Sequence, residues 1–299
     1  MASLKKFRCS YRGEWTRSKH LTNRSRRRSA MHMISHRRTT AAAVLRRDLI
    51  FAVVVILTTL GIARGSAAAE ARSQPAGYAI DGVDTSRWQH QNGAAIDWSK
   101  VRAAGVEFAT VKATRGVDRT DQYLKTDLEA ARTAGLAVAP YHFYAGTEPN
   151  TGAAQADWFI AAVKSTGYTG HRPGDLPPVF DFERVDVGPD KGKCPPHGSV
   201  DDAKAWLDKV EAAFDRQPII YTQKTFLDQC MGSTTAFAQY KLQLADYRQS
   251  TTEPPLPNGS TTWTMWQYTG DASRDGIRSR VPVDVFNGTQ SDLNALANR

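Results

Sequence analysis

The chain has 299 residues, 41% of them hydrophobic, which is enough for one sizeable core, and a formal net charge of +9. The positive excess is confined to one end. Residues 1–69 hold 15 Lys and Arg against Glu14 and Asp48, whereas residues 70–299 hold 24 against 28 acidic residues. The part able to fold is therefore mildly acidic, which excludes a nucleic-acid binder there, because affinity for phosphate backbones depends on basic charge.

Residues 1–69 read as a basic lead followed by a targeting segment. Arg37, Arg38, Arg46 and Arg47 precede an uncharged apolar run from Leu49 to Ala63, and Ala67-Ala68-Ala69 follows it. A basic region, a short apolar stretch and a small-residue site together make a secretory signal. An uncleaved anchor is the alternative, although the run is shorter than the roughly 20 residues of a membrane span. Met31 or Met33 would start a signal of more ordinary length. Of the three cysteines, Cys9 lies in this lead. Cys194 and Cys230 remain in the exported part, either as a disulfide or as two thiols, and an oxidising compartment favours pairing.

Beyond the lead, short apolar runs alternate with amphipathic stretches. Strands are predicted at Tyr78–Asp84, Val106–Ala113, Leu136–Phe143, Pro178–Glu183 and Pro218–Thr222. Helices are predicted at Trp98–Ala104 (with Asp97 as N-cap), Asp121–Ala134, Ala153–Ser165 and Val200–Phe214. Leu242–Tyr247, Thr262–Tyr268 and Val281–Phe286 then read as strands with little helix between them. About five strand–helix units followed by three strands imply a parallel sheet with right-handed crossovers, closed as a barrel that lacks its last helices. An open doubly wound sheet is the alternative. No Gly-x-Gly-x-x-Gly run follows the first strand, so a dinucleotide fold gets no support.

The sharpest chemical signal is Val179-Phe180-Asp181-Phe182-Glu183. In a strand, residues i and i+2 share a face, so Asp181 and Glu183 project together, roughly 6–7 Å apart along the backbone. Their mutual repulsion raises one pKa and can leave a protonated acid beside an ionised group, the division of labour that glycoside hydrolysis needs. Taken alone, the pair also fits a solvated strand end. Asp84 ends the first predicted strand, where a barrel builds its active site, but it also fits a turn cap. Tyr141-His142-Phe143-Tyr144 ends the third strand. Its aromatic side chains suit sugar stacking or core packing, and His142 read alone is a buried hydrogen-bonding histidine. Trp266-Gln267-Tyr268 and Asp284 end late strands with the same two readings. Gly-x-Ser-x-Gly, phosphate-loop and His-Glu-x-x-His motifs are absent, and neither Cys194 nor Cys230 has a close Cys or His, so no metal and no cofactor are expected.

The order and spacing of these pieces resemble glycoside hydrolase family 25, the lysozymes of the Chalaropsis type. The landmarks run from Gly82-Val83-Asp84-x-Ser86-x-Trp88-Gln89 through Ile96-Asp97-Trp98, Lys112-Ala113-Thr114, Ala134-Gly135-Leu136, Tyr141-His142-Phe143, Asp181-x-Glu183 and Ile219-Ile220-Tyr221-Thr222 to Trp266-Gln267-Tyr268 and Phe286-Asn287-Gly288. The resemblance implies a single TIM-like (β/α)5(β)3 barrel over residues 77–290 and an N-acetylmuramidase. Such an enzyme cuts the β-1,4 bond from N-acetylmuramic acid to N-acetylglucosamine in peptidoglycan. By the same resemblance Glu183 is the general acid, Asp181 orients the 2-acetamido group or stabilises the cationic transition state, and Asp84 is a supporting carboxylate. Tyr141, Tyr221, Trp266 and His142 shape the sugar site. The residues are compatible with attack by an enzyme nucleophile, by the substrate's own acetamido group or by water. The expected partner is the glycan strand, the expected setting is the cell wall after secretion, and the chain is expected to be a monomer.

Three positions depart from the family pattern. Arg115 stands where Glu usually follows Lys-Ala-Thr, and Gln243 stands where Trp often precedes the late-strand Ala. Pro282 occupies the usual place of the last aspartate, with Asp284 two residues further on. Either Asp284 takes that role or the role is vacant. These departures keep two alternatives open: a catalytically weak wall-binding barrel, and a chitinase-like glycosidase, although the longer D-x-x-D-x-D-x-E run expected of the latter is missing.

Overall fold

A computed structural model describes residues 73–147 and 151–298. The predicted targeting segment and Cys9 lie outside the described residues. In chain order the elements are β1 (Asp81–Thr85), α1 (Trp98–Ala103), β2 (Val106–Arg115), β3 (Arg119–Thr120), α2 (Leu124–Thr133), β4 (Ala137–Phe143) and α3 (Gly152–Lys164). These are followed by β5 (Val179–Asp181), α4 (Val200–Phe214), β6 (Ile219–Thr222), α5 (Lys224–Cys230), β7 (Leu242–Ala245), β8 (Met265–Ala272), β9 (Val281–Phe286) and α6 (Gln290–Leu296). Among the described residues no helix is long and apolar enough to cross a membrane.

Eight strands pair in the ring β1-β2-β4-β5-β6-β7-β8-β9 and back to β1, so the sheet closes as a barrel. Every neighbour in the ring is parallel except β9, which runs antiparallel to both β8 and β1. β3 is a two-residue hairpin arm folded back on the end of β2. One helix follows each of the first five ring strands and none follows β7 or β8. The expected (β/α)5(β)3 barrel is the observed fold. The stretch joining β7 to β8 holds Pro254, Pro255 and Pro257, which cannot supply helical N–H donors.

Local chemistry accounts for the elements. In α4 the Ser199 side chain accepts from the Asp202 backbone N–H, and Asp201 and Asp202 occupy the positive first turn. Ala203, Trp206, Leu207, Val210 and Phe214 fall on one buried face, and Asp215 ends the helix at φ 51. The predicted start of α2 at Asp121 is displaced to Leu124, because the Asp121 carboxylate accepts from the backbone N–H groups of Arg87 and Tyr123. The short helices α5 and α6 carry too few turns for a clear period in the sequence.

Strand alternation sorts the core into two layers. Outward-facing Phe180, His142, Trp266 and Leu244 meet the helices in a large outer core. There Phe180 and Trp206 stack with ring centroids 4.5 Å apart. Inward-facing Phe108, Val179, Ile219, Met265 and Phe286 fill the lower barrel, closed beneath by Leu293 and Ala297. Gly82 allows this filling, since a Cβ there would run into the Phe108 ring. Above the apolar floor the interior becomes polar, and the site begins.

Candidate active site

A cleft of about 340 Å³ opens at the C-terminal ends of the parallel strands, where a barrel's active site is expected. Its lining includes Asp84, Tyr141, Asp181, Glu183 and Tyr221 among the sequence candidates. Asp181 ends β5 and is 8% exposed, while Glu183, two residues on, is half-buried. Both reach the cleft, as the strand period predicts.

The two sides of the cleft treat their acids differently. On the β5 side, Asp181 Oδ1 is buried without a hydrogen-bond partner, and Glu183 has no hydrogen-bond partner among the described residues. Burial, with repulsion from Asp186, pushes Glu183 up to about 7, against the pull of Lys112. Burial and the neighbouring Glu183 push Asp181 well above the usual carboxylate range, again opposed by Lys112. The pair therefore retains a proton near neutrality. Lys112 is desolvated, and its Nζ lies 5.4 Å from the Tyr141 ring centroid and 4.9 Å from that of Phe143.

On the β1 side, donors surround Asp84. It accepts from Gln243 Nε2 at 3.2 and 3.3 Å, from the Thr110 hydroxyl and from Gln267 Nε2. The Gln267 carbonyl oxygen in turn accepts from Tyr221 at 3.0 Å and from Tyr247. Burial raises the Asp84 pKa to about 6, and these hydrogen bonds hold it below what burial alone would give. Asp284 is fully buried and accepts from Gln243 at 2.9 Å. Burial and the Asp84 charge push its pKa well up, and its Oδ2 is buried without a hydrogen-bond partner.

Three residues that the family resemblance assigns to the site lie elsewhere, and for His142 and Trp266 the core reading holds. Asp284 pairs in register with Gly82, whereas Pro282, two residues nearer the mouth, lines the cleft. Asp284 is thus one layer beneath the cleft, and proline occupies the mouth position. His142 and Trp266 face the outer core, because their neighbours Tyr141 and Gln267 take the inward positions. The Trp266 indole N–H donates to the Asp246 carbonyl at 3.0 Å. His142 Nδ1 lies 2.7 Å from the Thr114 hydroxyl, and Nε2 lies 3.1 Å from the Gln155 carbonyl oxygen. Burial lowers its pKa to about 3, so the imidazole is neutral.

Sequence reasoning left Lys112, Gln243, Gln267 and Tyr247 without site roles. The first and third were visible only as landmarks and the second only as a departure. Tyr247 lies two residues past the last β7 residue, and that period-2 step into the cleft was its available signal. Cys194 and Cys230 are joined as a disulfide with Cα atoms 5.4 Å apart, within bridging range. Among the described residues no group of three or more His, Cys, Asp or Glu is arranged to hold a metal ion.

The model of the glycosyl hydrolases family 25 matches residues 83–277, most of the barrel. The chain belongs to this family. Lysozyme M1 of Streptomyces globisporus is 32% identical over 224 residues, covering 73% of this chain and 71% of that protein. The N,O-diacetylmuramidase of a Chalaropsis species is 28% identical over 224 residues and is covered over 99% of its length. Among solved structures, the bacterial lysozyme of Streptomyces coelicolor superposes with a TM-score of 0.64 at 30% identity, covering 73% of this chain and 97% of that one. Asp84 of β1 and Asp181 of β5 both line the cleft.

Proposed function

We propose that this chain is a lysozyme that hydrolyses the β-1,4 bond between N-acetylmuramic acid and N-acetylglucosamine in peptidoglycan, acting on the cell wall after export. The observation that carries the reading is the unpartnered Asp181–Glu183 pair on the cleft wall, in a chain of glycosyl hydrolase family 25. Glu183 is the general acid. It is the more open of the two carboxyls, its proton is retained up to about pH 7, and it has no protein group to release before it protonates the leaving oxygen. Asp181, deeper and beside Lys112, faces the sugar's 2-acetamido group, whose N–H supplies the donor that the free carboxyl lacks. Asp84, held by Gln243, Gln267 and Thr110, sits across the cleft as a fixed negative charge for the cationic transition state. Tyr141, Tyr221 and exposed Trp88 present aromatic surface to the sugar rings.

Export rests on the basic and apolar lead and on the disulfide, which suits an oxidising compartment. A wall-binding barrel with weak catalysis is the second reading, favoured by Pro282 in the usual place of an aspartate. Turbidity of a peptidoglycan suspension separates the two. The lysozyme reading expects clearing by the wild type and none by Glu183→Gln. Pelleting of the wild type with the wall, without clearing, would favour the binder.

A further inference from the structure

Beside the cleft lies a second pocket of about 140 Å³ that the proposed chemistry does not use. Trp88, Lys112 and Asp186 line both, so the two spaces are contiguous. The second pocket is cationic: Arg87, Lys112, Arg115 and Arg119 line it against Asp121 and Asp186. Its far wall is the β2–β3 hairpin arm, in which Arg115 pairs directly across from Arg119. Asp186 pairs with Arg115 and Asp118 with Arg119, so each of these two opposed like charges is partly offset within the protein.

Arg115 has the features of a built recognition group. It is 8% exposed, and its guanidinium carbon lies 4.6 Å from the Phe143 ring centroid, which fixes its plane. Nη1 donates to Asp186, while the buried Nε has no hydrogen-bond partner among the described residues. A buried donor left unpaired is costly, and a bound oxyanion would satisfy it. Phosphate recognition by arginine would use the same fork. The two carboxylates offset two of the four cations, and Lys112 also serves the Asp181–Glu183 pair, which leaves about one positive charge and suits a singly charged group better than a phosphate.

We propose that this pocket is an anion subsite that takes a carboxylate of the peptide stem carried on the muramyl lactyl group, with Arg115 and Arg119 as its recognition residues. The proposal rests on the lysozyme reading, since it is the glycan seated in the cleft that brings a stem to the pocket. The stem is carried by the sugar whose bond is cut, so a subsite contiguous with the cleft can reach it without unseating the glycan. Binding there would make a stem-bearing strand a better substrate than a bare one, mainly through KM.

The test compares kcat and KM on three soluble preparations of one wall: glycan with stems and without teichoic acid, the same glycan stripped of stems by an amidase, and stem-free glycan that retains teichoic acid. Wild type, Arg115→Gln and Arg119→Gln are assayed on each. The readout is the ratio of kcat/KM on stem-bearing glycan to that on stripped glycan, which cancels any effect common to both. The ratio is expected to fall roughly 10- to 100-fold in Arg115→Gln and less in Arg119→Gln, carried by KM, the size of one lost hydrogen bond to a charged group. An unchanged ratio in both variants overturns the proposal. So does a loss confined to the teichoic-acid-bearing glycan, which would make the ligand a phosphate. Failure of the wild type to cut either glycan would instead remove the lysozyme reading itself.

Discussion

The two walls of the cleft hold the same residue types in opposite ways. On the β5 wall Asp181 and Glu183 have no donors, and the cation Lys112 alone opposes burial and repulsion. On the β1 wall Asp84 is bonded to two amides and a hydroxyl, and the buried Asp284 shares its Gln243 donor. The first arrangement keeps a proton available for transfer, and the second keeps a charge in a fixed place. The difference shows that burial by itself does not assign roles to carboxyls. The donors within hydrogen-bond reach do so, because they stabilise the charged form that burial opposes.

This contrast can be broken from either side. The largest effect is expected at the donor-free wall, where Glu183→Gln should lower kcat by about 10²- to 10⁴-fold, the span of general acid catalysis, with unchanged circular dichroism. A variant that keeps near-wild-type turnover would take Glu183 out of the acid role. Next, Asp181→Asn should reduce kcat/KM more than Asp284→Asn, since Asp181 lines the cleft and Asp284 lies beneath it; the reverse order would move the second functional acid to β9.

The pH profile sharpens the same comparison. Glu183 must be protonated to act, so kcat should fall as pH rises through about 7. Asp186 raises the Glu183 pKa and Lys112 lowers it. Asp186→Asn should therefore shift the alkaline limb to lower pH and Lys112→Gln to higher pH, each by up to about one pH unit. Shifts of the same sign in both variants would show that another group sets that limb.

The smallest effect is one of stability on the β1 wall. The folded-state pKa of Asp284 is raised, so the unfolded carboxyl ionises while the folded one stays protonated. Its contribution is intact below about pH 4 and is lost as pH rises toward the folded pKa, at up to ~1.4 kcal/mol per pH unit. Asp284→Asn removes the titration. Its Tm should then gain on that of the wild type as pH rises above about 4, and parallel curves would indicate an ionised Asp284.

The sequence revealed the architecture because each ring strand is a short apolar run and the first four helices carry a full amphipathic period. It also revealed the β5 pair, since i and i+2 share a face. What it concealed was the layer in which a residue lies. Trp266 and His142 sit one position from inward-facing Gln267 and Tyr141, and aromatic character does not separate the two faces of a strand buried on both sides. Asp284 carried the right chemistry in the wrong layer, which only its register against Gly82 discloses. Arg115 appeared as an isolated departure until the hairpin paired it with Arg119.

The most direct test of the central claim is mass analysis of the reducing ends released from purified peptidoglycan. N-acetylmuramic acid is expected at the new reducing ends with the wild type, and no release with Glu183→Gln. N-acetylglucosamine at those ends, or equal release by both proteins, would contradict it.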